Sequence, residues 1–188
     1  MLTRILALLL ETAFFLLIAS ALLRAWMNWV RVNMSVQPGR FAMALTDWLV
    51  KPLRRVLPKA LIQSRVDWAS IVAATLMALG YALLWWGLFG LLLGAAGVGM
   101  GLGGLMLLGL LEFALKMLLR VALQTLLILV LGYAVLSWVQ PGSPIGSLLG
   151  RLTEPLLAPL RRLIPVVGGV DLSALVLILL LQIGMMLV

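Results

Sequence analysis

TDWLVKPLRRVLP, residues 46–58, aligns without a gap on TEPLLAPLRRLIP, residues 153–165. A threonine, an acid, a leucine, the run Pro-Leu-Arg-Arg and a closing proline coincide. Upstream, AWMNWV (residues 25–30) matches AVLSWV (residues 134–139), and downstream Asp67 and Asp171 each open an apolar stretch. The reading is of one unit used twice in the same orientation: an apolar span, a basic amphipathic segment, and a second apolar span. Parallel repeats in a membrane imply a pseudo-two-fold axis along the membrane normal.

Composition supports a membrane setting. The chain is 64% hydrophobic and 11% charged, with a mean hydropathy of +1.22. A soluble domain is roughly 45–50% apolar, so this chain has more apolar surface than a globule of its size can bury. It holds no cysteine, which removes thiol nucleophiles and disulfides. It holds no histidine either, which removes imidazole acid–base chemistry and, with cysteine absent, Cys/His metal sites. Its six acids, Glu11, Asp47, Asp67, Glu112, Glu154 and Asp171, are scattered, and no local pattern proposes a carboxylate or metal site. The expectation is a protein that is not an enzyme, with no cofactor, no metal and no direct partner among nucleic acids.

Four spans are expected in an all-α integral membrane fold: about residues 5–30, 68–93, 117–138 and 172–188. The first three reach the roughly 20 residues that a bilayer core needs, and the last is barely long enough. The region 105–139 is too long for one untilted span, so its early turns, which carry Glu112, Lys116 and Arg120, are placed at the opposite interface. The stretch 94–104, GAAGVGMGLGG, is read as a turn between spans, because so many glycines weaken a helix by about 1 kcal/mol each. The division is 1–93 for the first repeat, 94–104 for the connection and 105–188 for the second repeat. Ten of the fourteen basic residues fall in 31–67 and 140–170. The positive-inside rule then places both segments in the cytoplasm and both termini outside.

Within each motif, apolar and charged residues separate at helical spacing, with Leu45, Leu49, Pro52, Leu53 and Val56 set against Asp47, Lys51, Arg54 and Arg55. That pattern suits a helix lying among lipid headgroups. Pro52 and Pro159 should kink or split it, since each lacks an N–H and crowds the carbonyl four residues back. The candidate lipid- or partner-binding residues are Arg54, Arg55, Arg161 and Arg162 with Pro52 and Pro159. Asp67 and Asp171 are candidate helix caps or arginine partners. Glu11 and Arg24 are candidate intramembrane charges, Arg24 being long enough to snorkel to the headgroups.

The paired PLRR-[VL]-[LI]-P segments, each followed by an aspartate and an apolar span, resemble the YggT family, also called YlmG. The likeness covers nearly the whole chain. It implies a bacterial inner-membrane protein, with members linked to osmotic or salt stress tolerance, to cell division or nucleoid distribution and, in chloroplasts, to division and cytochrome maturation. The expected function is a scaffold or accessory protein whose basic segments grip anionic lipid, with a protein partner or a second copy as further possibilities. The alternative is a small oligomeric channel or transport accessory for potassium or another osmolyte, with Glu11, Glu112, Lys116 and Arg120 along its path.

Overall fold

The computed structural model describes residues 1–35, 37–58, 66–92, 103–140, 142–162 and 171–188. These form helices α1 (Leu2–Trp29), α2 (Gly39–Val56), α3 (Trp68–Leu92), α4 (Gly103–Val139), α5 (Pro144–Arg161) and α6 (Leu172–Leu187). No strand occurs among the described residues. Among the described residues three stretches are long and apolar enough to cross a membrane: Thr3–Trp29, Trp68–Gly87 and Leu107–Val139. The shorter α6 is also apolar, but its 16 residues reach only about 24 Å. The glycine-rich connection, Lys59, Arg65 and Pro165 lie outside the described residues, apart from the start of α4 at Gly103.

The helix boundaries bear on two of the expectations. The region 105–139 belongs to one continuous helix of 37 residues, about 55 Å long. And α2 runs on through Pro52, as α5 does through Pro155 and Pro159, so neither segment is split. An internal proline loses its own amide bond and crowds the carbonyl four residues back, but the turns on either side keep their bonds and the helix continues. The ends behave as expected: Leu57 is extended at ψ 144° because Pro58 follows and disfavours the helical conformation.

The end of α1 is fixed by backbone geometry. Arg31 sits in the left-handed region at φ 58°. Its N–H bonds to the Asn28 carbonyl at 3.1 Å, and the Val32 N–H to the Met27 carbonyl at 3.0 Å. Those two bonds and the packing of Val32 near Met27 make a Schellman motif. The chain turns back there and enters α2 at Gly39, where a Cβ would lie 2.8 Å from the Met34 backbone.

Helices α1, α2 and α3 pack on one another, and so do α4, α5 and α6; α4 joins the two groups by packing on α1 and α3. The largest core cluster sets Ile18 and Ala21 of α1 against Ala74, Met77, Ala78 and Ala82 of α3, with Leu110, Ala114 and Val121 of α4. Small residues let these backbones approach closely, as membrane helices require when lipid is as apolar as the core. The second cluster joins Val130, Leu157, Ala174, Leu177 and Leu181. The third, Met27, Val32, Leu129 and Leu152, bridges the groups, and there the Trp26 indole N–H donates to the Leu152 carbonyl at 2.9 Å. The outward faces are apolar too, with Leu8 64%, Leu108 64% and Leu179 58% exposed. This is the surface of a protein solvated by lipid.

Arg31→Gly should raise stability by about 0.5–1 kcal/mol, because glycine adopts the left-handed conformation without penalty. Gly39→Ala should lower it by about 1–3 kcal/mol, because the new methyl meets backbone and cannot be accommodated by a rotamer change. Thermal melts of the detergent-purified protein read both, and equal melting temperatures for the two variants would refute this account of the turn.

Candidate functional site

Two clusters of charge lie where the amphipathic helices meet the apolar ones. In the first, Arg24 of α1 is 4% exposed and points into the α1–α2–α3 packing rather than snorkelling outward. Its Nη1 donates to Asp47 Oδ1 at 2.7 Å and to Thr46 Oγ1 at 3.0 Å. Its Nε lies 3.9 Å from Asp67 Oδ2, too far for a hydrogen bond, and is buried with no hydrogen-bond partner among the described residues. Thr46 is fully buried, and its hydroxyl donates to the Ala42 carbonyl at 2.7 Å while accepting from Arg24. Lys51 reaches Asp47 Oδ2 at 2.8 Å from one turn along α2. Arg54 reaches Asp67 Oδ2 at 2.7 Å. Asp67 immediately precedes α3 and accepts from the Ser70 hydroxyl at 2.9 Å and more weakly from its N–H at 3.4 Å.

The second cluster uses one cation for two acids. Arg161 donates through Nε and Nη2 to Asp171 Oδ2 at 2.9 and 2.8 Å, and through Nη1 to Glu154 Oε2 at 2.7 Å. Nη2 also donates to the Tyr133 hydroxyl at 2.8 Å. Asp171 caps α6, its Oδ1 accepting from the Ser173 N–H at 3.1 Å and from the Ser173 hydroxyl. Asp67 and Asp171 are therefore at once helix caps and arginine partners.

The arginine pairs divide. The first member of each, Arg54 and Arg161, is spent on an internal aspartate, whereas Arg55 and Arg162 are exposed and make no ion pair among the described residues. Pro52 and Pro159 are exposed on the outward sides of α2 and α5. Glu11 is also exposed, far along α1 from Arg24, and joins neither cluster. The motif reading missed Arg24, Thr46 and Tyr133 as members of the clusters. A signal was present: Arg24 directly precedes AWMNWV, and Tyr133 directly precedes AVLSWV. The aligned position thus holds a cation in one cluster and a hydroxyl in the other.

Electrostatics follow the geometry. The hydrogen bond from Lys51 lowers the Asp47 pKa; burial opposes this, and Arg24 adds to the lowering. For Asp171, burial acts to raise the pKa, but the bonds from Ser173 and Arg161 prevail and lower it. Burial acts to lower the Arg161 pKa, and its contacts with Asp171, Tyr133 and Glu154 outweigh this and raise it. Among the described residues no three potential metal ligands gather. Chemically, the clusters can pin helices: each ties an amphipathic helix to the start of the next apolar one.

Loss of Arg161 leaves both Asp171 and Glu154 without their cation, whereas loss of Arg54 leaves Asp67 beside Arg24. Arg161→Ala should therefore destabilise more, by about 3 kcal/mol against about 1 for Arg54→Ala. Equal effects in denaturant titrations would contradict this division of labour. Since both aspartate pKa values are depressed on folding, their stabilisation is complete above the unfolded carboxylate pKa of about 4 and is lost as pH falls through the lower folded values. Melting temperature should hold down to about pH 4 and then fall, and Asp171→Asn should remove part of that fall.

The CCB3/YggT family profile matches residues 3–88 and again residues 106–188. The chain is 35% identical over 176 residues to an uncharacterized protein in the proC 3′ region of Vibrio alginolyticus, covering 93% of this chain and 88% of that one. It is 33% identical over 163 residues to the uncharacterized protein YggT of Escherichia coli K12, covering 86% and 77%. An uncharacterized protein of Haemophilus influenzae is 32% identical over 156 residues, covering 82% and 75%. No solved structure matches. With the profile matched on both sides of the glycine-rich connection and these relatives covered over most of their length, the chain belongs to the CCB3/YggT family.

Proposed function

We propose that this protein is a non-enzymatic scaffold or accessory protein of the bacterial inner membrane, and that it grips the cytoplasmic leaflet through α2 and α5. The observation that carries the reading is the outward side of α2. Phe41, Trp48 and Val56 are 51%, 62% and 82% exposed, and Arg40, Lys51 and Arg55 are exposed beside them. The opposite side of α2, Ala42, Thr46 and Val50, is buried against α1 and α3. A helix held on one side by buried charge and presenting aromatics and cations on the other suits the headgroup region.

In this reading α6 is a fourth span, the two groups of three helices are parallel repeats, and both termini face outside. The prolines within α2 and α5 bend these helices along the membrane surface. Cellular roles in osmotic or envelope stress tolerance or in division follow from the family resemblance. A protein partner or a second copy would dock on the same basic side. Near the end of α1, Val30, Ser147, Arg151 and Glu154 line an open groove of about 600 Å³.

The test separates grip from packing. Arg55→Ala with Arg162→Ala should weaken binding of anionic lipid by about 1 kcal/mol per arginine, with the melting temperature unchanged. Unchanged affinity would sink the reading. The channel alternative draws support from the placement of Glu11, Lys116 and Arg120 around one pocket. That pocket, however, is backed by Tyr81 and Phe113, whose stacked rings continue into Trp85. Proteoliposomes should accordingly show no potassium flux above empty vesicles after a salt upshift. A flux abolished by Glu11→Ala would promote the channel instead.

A further inference from the structure

A second polar site lies far from the two charge clusters. Glu11 of α1, Tyr81 of α3, and Phe113, Lys116, Met117 and Arg120 of α4 line a pocket of about 190 Å³. Arg24 to Glu11 along α1, Asp67 to Tyr81 along α3 and Tyr133 to Arg120 along α4 are each about 20 Å of helix, and Phe113 lies about 30 Å from Tyr133. Glu11, Tyr81 and Arg120 therefore sit at one level across three helices, towards the opposite membrane face from the clusters.

Its charges are placed against the usual rule. Glu11 and Arg120 are exposed on the outside of apolar helices, with Leu8 64% and Leu9 58% exposed on one side and Leu115 56% and Leu119 44% on the other. Lys116 is bonded to Glu112 at 3.0 Å. Glu11 and Arg120 make no ion pair with any described residue. Charges in a lipid-facing belt need a partner, and the bilayer itself offers one. The pocket carries both signs, so neither a simple anion nor a simple cation satisfies it.

We infer that this pocket takes the headgroup of a zwitterionic phospholipid bearing a primary ammonium, a lipid of the phosphatidylethanolamine type. Arg120 supplies a planar fork of donors that suits the phosphate. Glu11 accepts hydrogen bonds from the ammonium, and the stacked rings of Tyr81 and Phe113 form the apolar back of the pocket. A quaternary ammonium has no proton to donate, so a choline headgroup loses the contact with Glu11. An added negative charge without an ammonium meets Glu11 unfavourably. The pocket is smaller than the roughly 300–1,000 Å³ of sites for drug-sized ligands, as a headgroup whose chains stay in the bilayer requires.

Native mass spectrometry of the full chain in detergent, titrated with phosphatidylethanolamine, phosphatidylcholine and phosphatidylglycerol, reads this directly. The first lipid should be retained over the second by about tenfold, the worth of one charge-assisted hydrogen bond. Glu11→Gln should abolish that preference, and Arg120→Gln should weaken retention of both by about tenfold. Both residues are exposed, so melting temperatures should stay at the parent value, which separates a lost ligand from a lost fold. Equal retention of the two lipids by the parent protein would overturn the inference, as would a preference for phosphatidylglycerol or a preference unmoved by Glu11→Gln. So would displacement of the lipid by equimolar soluble phosphoethanolamine, since the site would then be one for a free solute.

Discussion

A charge buried at the edge of an apolar bundle must be answered from within the protein, and Arg24 sets that demand in this chain. Isolated in a medium of low dielectric, a guanidinium would cost several kcal/mol or more. Asp47 and Thr46, both on α2, answer it at hydrogen-bonding distance, and Asp67 at the start of α3 adds its charge from 3.9 Å. The position of α2 against α1 and α3 is thus tied to one side chain. A weakly hydrophobic helix is thereby held in one orientation against its neighbours.

The second cluster solves a similar problem with different chemistry. Tyr133 brings a hydroxyl and an aromatic face, the Arg161 guanidinium lying 5.8 Å from its ring centroid. The cation itself comes from α5. The difference leaves the clusters unequal in charge: Arg24, Lys51 and Arg54 face two acids in one, and Arg161 alone faces two in the other. Arg151 and Arg162, both exposed, supply positive charge elsewhere on α5 and at its end.

Much of this architecture is written in simple physical signals. Long apolar runs give α1 and α3 to within a few residues, because nothing but a helix satisfies the backbone of such a run in lipid. The aspartates before α3 and α6 are legible for a similar reason, since a buried helix start needs acceptors for its free amides. What is not legible is side-chain direction. The segregation of Leu45, Leu49 and Leu53 from the charges defines a stripe, but the buried side of α2 is centred on Ala42, Thr46 and Val50, and Pro52 and Val56 stay outside. Hydrophobicity cannot choose which face meets protein when the other face meets lipid. The same ambiguity hid Arg24, whose length permits snorkelling as readily as burial. It is the partners, distant in sequence, that decide.

The hydrogen bonds and ion pairs of the first cluster all fall between Arg24 and Ser70, whereas α4 packs on α1 and α3 of the first group and on α5 and α6 of the second. During synthesis, a ribosome delivering the chain from its N-terminus completes the first set of contacts before α4 emerges. Every partner in that cluster then lies within the first three helices and the residues joining them. For the later half they act as a template, and α4 is the surface on which that half registers. A chain made in the reverse order of halves would present Tyr133 and a single arginine first, with two acids to satisfy and no prior structure to lean on. Each half thus carries its own cluster, and the two differ in how many cations answer their acids.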